Sequence, residues 1–352
     1  MKKYLLIFWI LSALVVGVGT QGCVKDEDIF IPKDTVKTVV GDTSWNQDLS
    51  KINNTSTTTT GLLNIEKLAT DLQTPTFVSE VNAENGGYIS TPDNVTVNFP
   101  ANSCTLNGRA CTGKIDVEIL VLRKKGDLVL NNVPTTSLDR QLVSGGVVYV
   151  RGSQGGQEVR LAREKKLTVR FKNPDQDRSM QLFVGIFDGR FKFDWLPIRT
   201  AVVVATGNGT TPTLGFWADT TQNRENKGYE IGLDRFGWIN CDKFGDSTNL
   251  TPNFRVALPD TFTNQNTSVF VVFKDINSVV RLEGNPQIRQ FMTGSGYRGL
   301  PIGRQVIIVT MSLVRGKYYL ATQEATVTAG LIVRPTPHAA TKDDIKRIVS
   351  SL

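Results

Sequence analysis

Few residues in this chain could carry out chemistry. Among its 352 residues are one histidine, His338, and four cysteines, Cys23, Cys104, Cys111 and Cys241. A single imidazole forbids a multi-histidine metal centre and leaves any His–acid triad one candidate, near the C-terminus. Cys241 is unpaired by count and lies far along the chain from His338, so it reads as a small buried hydrophobe rather than a nucleophile. Cys104 and Cys111 bracket Thr-Leu-Asn-Gly-Arg-Ala in a turn between strands. Such a pair suits a short disulfide in an oxidising compartment. The rival, a two-cysteine zinc half-site, lacks further ligands nearby, so the disulfide is the expectation. Asp188, Asp194 and Asp242 supply the carboxylates that an acid-pair hydrolase would use. Glycoside hydrolysis needs two such groups roughly 5–9.5 Å apart, which spacing along the chain does not fix.

Other motifs weaken on inspection. Gly294-Ser295-Gly296-Tyr297-Arg298-Gly299 has glycines at the spacing of a dinucleotide loop, but Leu300-Pro301-Ile302-Gly303 follows where a helix must start. It reads as a loop. Asp175 and Asp177 have no third acid at calcium-loop spacing and read as a solvated turn. Arg123-Lys124-Lys125, with Arg163 and Lys165-Lys166, suits solvated strand ends or an anionic surface glycan; nucleic acid is not an expected partner outside the cell. No cofactor is called for. The densest motif is Phe236-Gly237-Trp238-Ile239-Asn240-Cys241-Asp242-Lys243-Phe244. Trp238, Asn240 and Asp242 form a weak candidate binding set. The competing reading puts the aromatics in the core and has Asn and Asp satisfy backbone groups.

The remaining cysteine carries an address. Lys2 and Lys3 precede an uncharged, mostly apolar run from Tyr4 to Gly19, too short to span a bilayer comfortably as a helix. The run ends at Thr20-Gln21-Gly22-Cys23. This resembles a bacterial lipobox with Gly22 in the small position, although Thr20 departs from the usual Leu. The resemblance implies cleavage after residue 22 and acylation of Cys23, with the membrane as the partner of that anchor. Two or more acyl chains make anchoring stable. Val24-Lys25-Asp26-Glu27-Asp28 follows and resembles the surface-export signal of Bacteroidota lipoproteins, carried by Lys25, Asp26, Glu27 and Asp28. It implies an outer-membrane lipoprotein displayed on the cell surface.

The elements that must position any site are strands. Residues 23–80 read as a tether rich in Thr, Asn, Asp and Ser, with a short helix at Leu62–Leu72 ended by Pro75. Residues 84–172 then alternate with period two, as in Val95-Thr96-Val97-Asn98-Phe99 and Lys166-Leu167-Thr168-Val169-Arg170-Phe171. Gly86-Gly87-Tyr88-Ile89 with Pro92, Val95 to Ala101, and Gly113-Lys114-Ile115-Asp116-Val117-Glu118 resemble the β-sandwich module of zonula occludens and uncoordinated netrin-receptor proteins, present also in ankyrins. That family implies protein contact rather than catalysis. Some members cleave themselves at a His-Ser-type junction, but residues 84–172 contain no His.

Pro174-Asp175-Gln176-Asp177 reads as a boundary, and residues 176–335 as a second β-rich domain. A hairpin across Asp188-Gly189 and another across Arg315-Gly316-Lys317 are expected. The Phe236–Phe244 segment resembles one in Bacteroidota surface proteins that also carry a module like residues 84–172. At the C-terminus, residues 341–352 form an amphipathic helix with Thr341 as N-cap and Ile345, Ile348, Val349 and Leu352 on one face.

The expected fold is mostly β: two β-sandwich-like domains after a signal peptide (1–22) and tether, closed by a short C-terminal helix. The expected function is a lipid-anchored envelope protein acting as a non-enzymatic binding or structural module for a protein or glycan, or as an accessory subunit of an outer-membrane assembly. The alternative is an envelope carbohydrate-active hydrolase using an acidic pair. Removing residues 1–22 takes away two lysines and no acid, so the net charge of +7 becomes +5.

Overall fold

The computed structural model describes residue 45 and residues 64–188, 192–198, 212–218, 227–246, 248–294 and 296–352. The signal run, Cys23 and the Lys25–Asp28 tag lie outside the described residues, as do most of the tether, Leu62, Gly189 and Ser295.

In chain order the main strands are β1 (Phe77–Asn82), β2 (Gly87–Ser90), β3 (Val95–Phe99), β4 (Lys114–Leu122), β5 (Arg140–Gln154), β6 (Leu167–Lys172), β7 (Gln181–Asp188), β8 (Lys192–Pro197), β9 (Thr213–Ala218), β10 (Lys227–Leu233), β11 (Gly237–Phe244), β12 (Thr267–Phe273), β13 (Val279–Asn285), β14 (Gln305–Val314) and β15 (Lys317–Thr326). Among the described residues three helices join them: α1 (Asn64–Leu72), α2 (Lys125–Leu130) and α3 (Lys342–Ser350). The chain is mostly β, and its strands stack in layers.

An outer sheet runs β9-β10-β6-β3-β2 and a middle sheet runs β1-β4-β5-β11-β7-β8. A third sheet is centred on β13-β12-β14-β15 and ends in the short strand His338–Ala340. The lone histidine therefore lies on an exposed strand edge paired with Leu320.

Between the outer and middle sheets, Val97, Phe171, Tyr229, Val117, Val150 and Ile239 fill one core. The middle and third sheets enclose a second core, where Leu122, Leu142, Tyr149 and Trp195 meet Phe270, Val272, Val309 and Met311. The other face of the third sheet covers a third core with Val269, Val271, Phe273 and Phe291, against which Trp45 packs.

Sequence pattern follows this layering. In β4, Lys114, Asp116 and Glu118 alternate with buried Ile115 and Val117, as a half-solvated strand should. The pattern then changes to Ile-Leu-Val-Leu, with Ile119 in the first core and Leu120 and Leu122 in the second. Strand β12 is buried at every residue because both of its faces are covered. The turn between β14 and β15 pairs Val314 with Lys317, and its two residues, Arg315 and Gly316, have φ of 49° and 76°. Positive φ at both positions is what a two-residue hairpin of matching twist requires.

The boundary expected near 172–176 does not separate the sheets. β7, β8 and β11 complete the middle sheet, and β9 and β10 complete the outer one. Residues 84–172 leave an edge of each sheet without its neighbours, so the sandwich spans about 77–244. A polar seam then ties it to the third sheet. Thr135 N–H donates to Val279 O at 2.8 Å, and Val279 N–H donates to Thr135 Oγ1 at 2.8 Å. Ser144 N–H donates to Asn277 O at 2.8 Å, while Asn277 Nδ2 donates to Ser144 O and to Arg123 O, each at 3.0 Å.

Helix α3 packs on its own body through Ile345 and Val349, both in the second core. Its start is a capping box: Asp344 N–H donates to Thr341 Oγ1 at 3.1 Å and Thr341 N–H to Asp344 Oδ2 at 3.3 Å. Asp344 thus does the work expected of Glu or Gln. A Cβ on Gly126 of α2 would lie 2.1 Å from Val349 O, so glycine there permits the two helices to touch. Asp71 of α1 accepts from Tyr318 and from Lys342 Nζ at 3.0 Å, joining α1, β15 and α3.

Candidate binding groove

Of the weak candidate set from the sequence, Asn240 and Asp242 are fully buried and Trp238 is half-buried against the second core. Their strand, β11, lies between β5 and β7 in a sheet with cores on both faces. Trp238 packs on Tyr149 at 4.8 Å and on Phe193 at 5.6 Å between ring centroids. Asn240 and Asp242 are both 0 % exposed. This corrects the binding-site expectation: middle-layer position makes these residues packing and polar filling.

The local geometry explains the polar pair. Asn240 pairs with Val147 but Asp242 with Ser144, so β5 carries one extra residue at Ser144-Gly145-Gly146. A Cβ on Gly145 would sit 2.8 Å from Cys241 O, so the bulge needs glycine at its tight point. Ser144 Oγ donates to Asn240 Oδ1 at 3.1 Å, and Asn240 Nδ2 donates to Asp242 Oδ2. Burial pushes the Asp242 carboxyl well above its ordinary range, against the pull of Ser144, Asn240 and the Gly145 amide. Burial there favours the neutral acid.

The other sequence candidates also acquire structural roles. Asp194 beside Ile186 and Asp242 beside Gln181 are five positions apart along β7, about 16 Å. That exceeds the carboxyl separation a glycosidase uses. Both oxygens of Asp194 accept Leu138 N–H, each at 3.1 Å; the side chain of Asp188 lies outside the described residues. Cys111 N–H donates to Cys104 O at 3.0 Å, so the two cysteines face each other across a strand pair, but both thiols are free and buried. The structure thus has two free thiols where a disulfide was expected. Burial pushes the Cys104 thiol up to about 11. Burial raises Cys241 further above its ordinary value.

Arg123 is half-buried, donating to Lys172 O at 2.9 Å, and Lys125 Nζ donates to Phe273 O at 2.7 Å. These two ends of the basic run fasten one element to another rather than remaining solvated. Asp177 does not stay free either: Lys243 Nζ at 2.7 Å, then the amide and hydroxyl of Ser179, hold its carboxyl well below the carboxylate range. The glycine-spaced loop at 294–299 docks on the β5 entrance, where Arg298 N–H donates to Asp139 O at 3.0 Å.

The outer sheet is different, because only one of its faces is covered. On its solvent face Asn94, Thr96, Arg170, Lys172 and Trp217 line a hollow of about 380 Å³. Register builds it in rows. Trp217 pairs with Gly228 and Gly228 with Lys172. The next row is Gly215, Glu230, Arg170, Thr96 and Ser90.

Trp217 is tethered by its indole N–H, which donates to Tyr229 O at 3.3 Å. Gln176 fixes the adjoining backbone by donating to Gly228 O and to Trp217 O. Gly228 leaves the floor between Trp217 and Lys172 bare. A Cβ there would lie 2.0 Å from Phe171 O, so no larger residue fits. Asn94 closes the rim with φ of 57°, a left-handed turn position that Asn tolerates. Arg170 pairs with Glu230, while Lys172 pairs with none of the described acids.

The hollow thus offers an aromatic surface, an amide, a hydroxyl and two cations. That set stacks on, hydrogen-bonds and charge-pairs a ligand. Among the described residues its lining includes no thiol, carboxyl or imidazole. Among the described residues, no three His, Cys, Asp or Glu side chains gather as metal ligands. The sequence signal for part of the groove was present. Arg170 is flanked by the buried Val169 and Phe171, which forces it and Lys172 outward. Trp217 was illegible, because Phe216-Trp217 gives no hint of which ring faces the core. Comparisons of the chain with protein families, with curated proteins and with solved structures gave no match.

Proposed function

We propose that the protein is a lipid-anchored envelope protein, displayed on the outer surface, whose folded body is a non-enzymatic binding module. Its ligand site is the groove on the outer sheet. The observation that carries this reading is the chemistry of the hollow: a fixed aromatic ring, hydrogen-bonding groups and a cation, Lys172, with no acidic partner among the described residues, on the solvent face of the outer sheet. The lipobox-like run ending at Cys23 and the acidic tag after it support the address. The resemblance of residues 84–172 to a contact-making sandwich module supports binding over catalysis. The separation of Asp194 from Asp242 removes the support for an acid-pair hydrolase that used those two.

Two experiments test the reading. Cys23→Ser releases the protein from membranes, and proteinase applied to whole cells digests the wild type; membrane retention or full protection contradicts the address. For the site, the displayed protein is crosslinked to its surroundings with and without the double substitution Trp217→Ala, Lys172→Ala. Loss of the crosslinked species, protein or glycan, is expected. An unchanged set of crosslinks places binding elsewhere.

A further inference from the structure

We infer that the groove binds an acidic polysaccharide, with one sugar ring stacked on Trp217 and its carboxylate or sulfate paired with Lys172. This rests on the outer-sheet groove being the binding site proposed above.

The spacing sets the ligand's shape. Lys172 lies two strands from Trp217, about 10 Å away at the usual strand separation. Gly228 between them carries no side chain, so the space over it is open to a ring lying flat against the indole. Trp217 cannot swing out without breaking its bond to Tyr229 O, so the stacking surface is preorganised and loses little freedom on binding. An ammonium with no acidic partner among the described residues attracts an anion at the far side. Arg170 is already neutralised by Glu230, and that pair offers donors and acceptors for hydroxyls rather than net charge.

Asn94 and Thr96 add an amide and a hydroxyl at the rim. The chain's net positive charge favours the approach of an anionic polymer. A hollow of about 380 Å³ is the size of a small-ligand cleft.

The face continues beyond the hollow. A third row of the same face runs Thr213, Gly232, Thr168, Asn98 and Tyr88. Tyr88 is 77 % exposed. It stands four strands and four residues from Trp217, about 23 Å on the diagonal. Arg170, Thr96 and Ser90 lie between the two rings. Two aromatic surfaces linked by polar side chains suit a chain of sugars, and they imply that longer oligosaccharides bind more tightly than short ones.

The test is calorimetric titration of the detergent-solubilised full-length protein. The probes are oligosaccharides of galacturonate, hyaluronan and heparin, each beside its neutral counterpart made by esterification, carboxyl reduction or desulfation. An oligothymidylate of equal charge is included as well. At least one acidic glycan is expected to bind ten-fold or more tightly than its neutral form and than the oligonucleotide. Lys172→Gln should erase the difference between acidic and neutral forms. Trp217→Ala should weaken both by ten-fold or more, and Tyr88→Ala should remove only the gain with length.

Equal binding of acidic and neutral forms through Trp217 overturns the charge assignment and leaves the module reading standing. Equal or tighter binding of the oligonucleotide, or no binding by any glycan, overturns the sugar assignment. If a protein is then crosslinked in a Trp217-dependent way, the module reading survives that failure too.

Discussion

Trp217 and Trp238 are the same residue on neighbouring sheets of one sandwich, both half-buried, and what surrounds them differs. Trp238 lies in a strand with cores on both faces, ringed by Tyr149 and Phe193, and its indole N–H finds no acceptor. Trp217 lies on the outer sheet, turned to solvent over a bare glycine, with its indole N–H tied to a backbone carbonyl. The difference teaches that layer position, rather than motif density, decides which aromatic is available to a ligand. The richest run of residues in the chain became interior packing, and a plain edge strand supplied the groove.

That contrast can be broken or sharpened by mutation. The largest effect is expected from Trp238→Ala, which empties space between two sheets and should cost about 3 kcal/mol in urea unfolding. A cost under about 0.5 kcal/mol would mean the second core does not close over this ring. Next is the seam: Asn277→Ala leaves the carbonyls of Arg123 and Ser144 without their donor and should cost about 2 kcal/mol. If unfolding then splits into two transitions, the third sheet is a separable unit. If the cost is negligible, the seam does not couple the layers.

Two aspartates give a finer test through pH. Asp242 keeps its proton in the folded state beyond the pH at which the unfolded chain loses it, near pH 4. Its contribution is complete below that pH and is lost as pH rises through the folded value. Asp242→Asn should therefore flatten the fall in Tm above pH 4. Asp71 behaves in the opposite sense. Burial raises its carboxyl, but Lys67, Tyr318 and Lys342 together bring it below the ordinary value, so its contribution is present above about pH 4 and lost as pH falls. Asp71→Asn should make melting less sensitive to acid. Opposite outcomes for the two would place the buried and half-buried charges wrongly. The smallest stability effect belongs to Trp217→Ala, which should stay within about 0.5 kcal/mol of the wild type.

The sequence carried the strands well and their partners poorly. Period-two alternation marked β3 and β6 because each has one wet face. The two-residue turn at Arg315-Gly316 and the helix capped by Thr341 were equally readable, since their causes are local. What pairs with what was not readable. The boundary drawn at residues 172–176 failed because β10 and β11 return from 55 or more residues away to join β6 and β5, and nothing in the intervening turn records that return. The same non-local pairing hid the site. Asn94, Thr96, Lys172 and Trp217 come from three strands and a turn, and only register brings them together. Arg123 and Lys125 read as surface charge until the structure brought Lys172 O and Phe273 O to them.

The most direct measurement sets the two tryptophans side by side. Affinity for the tightest acidic oligosaccharide and free energy of unfolding are determined for Trp217→Ala and for the milder core variant Trp238→Phe. The account predicts that Trp217→Ala loses ten-fold or more in affinity with unchanged stability, while Trp238→Phe loses stability and keeps its affinity. Wild-type affinity in Trp217→Ala, or lost affinity in a folded Trp238→Phe, would contradict the placement of the site on the outer sheet.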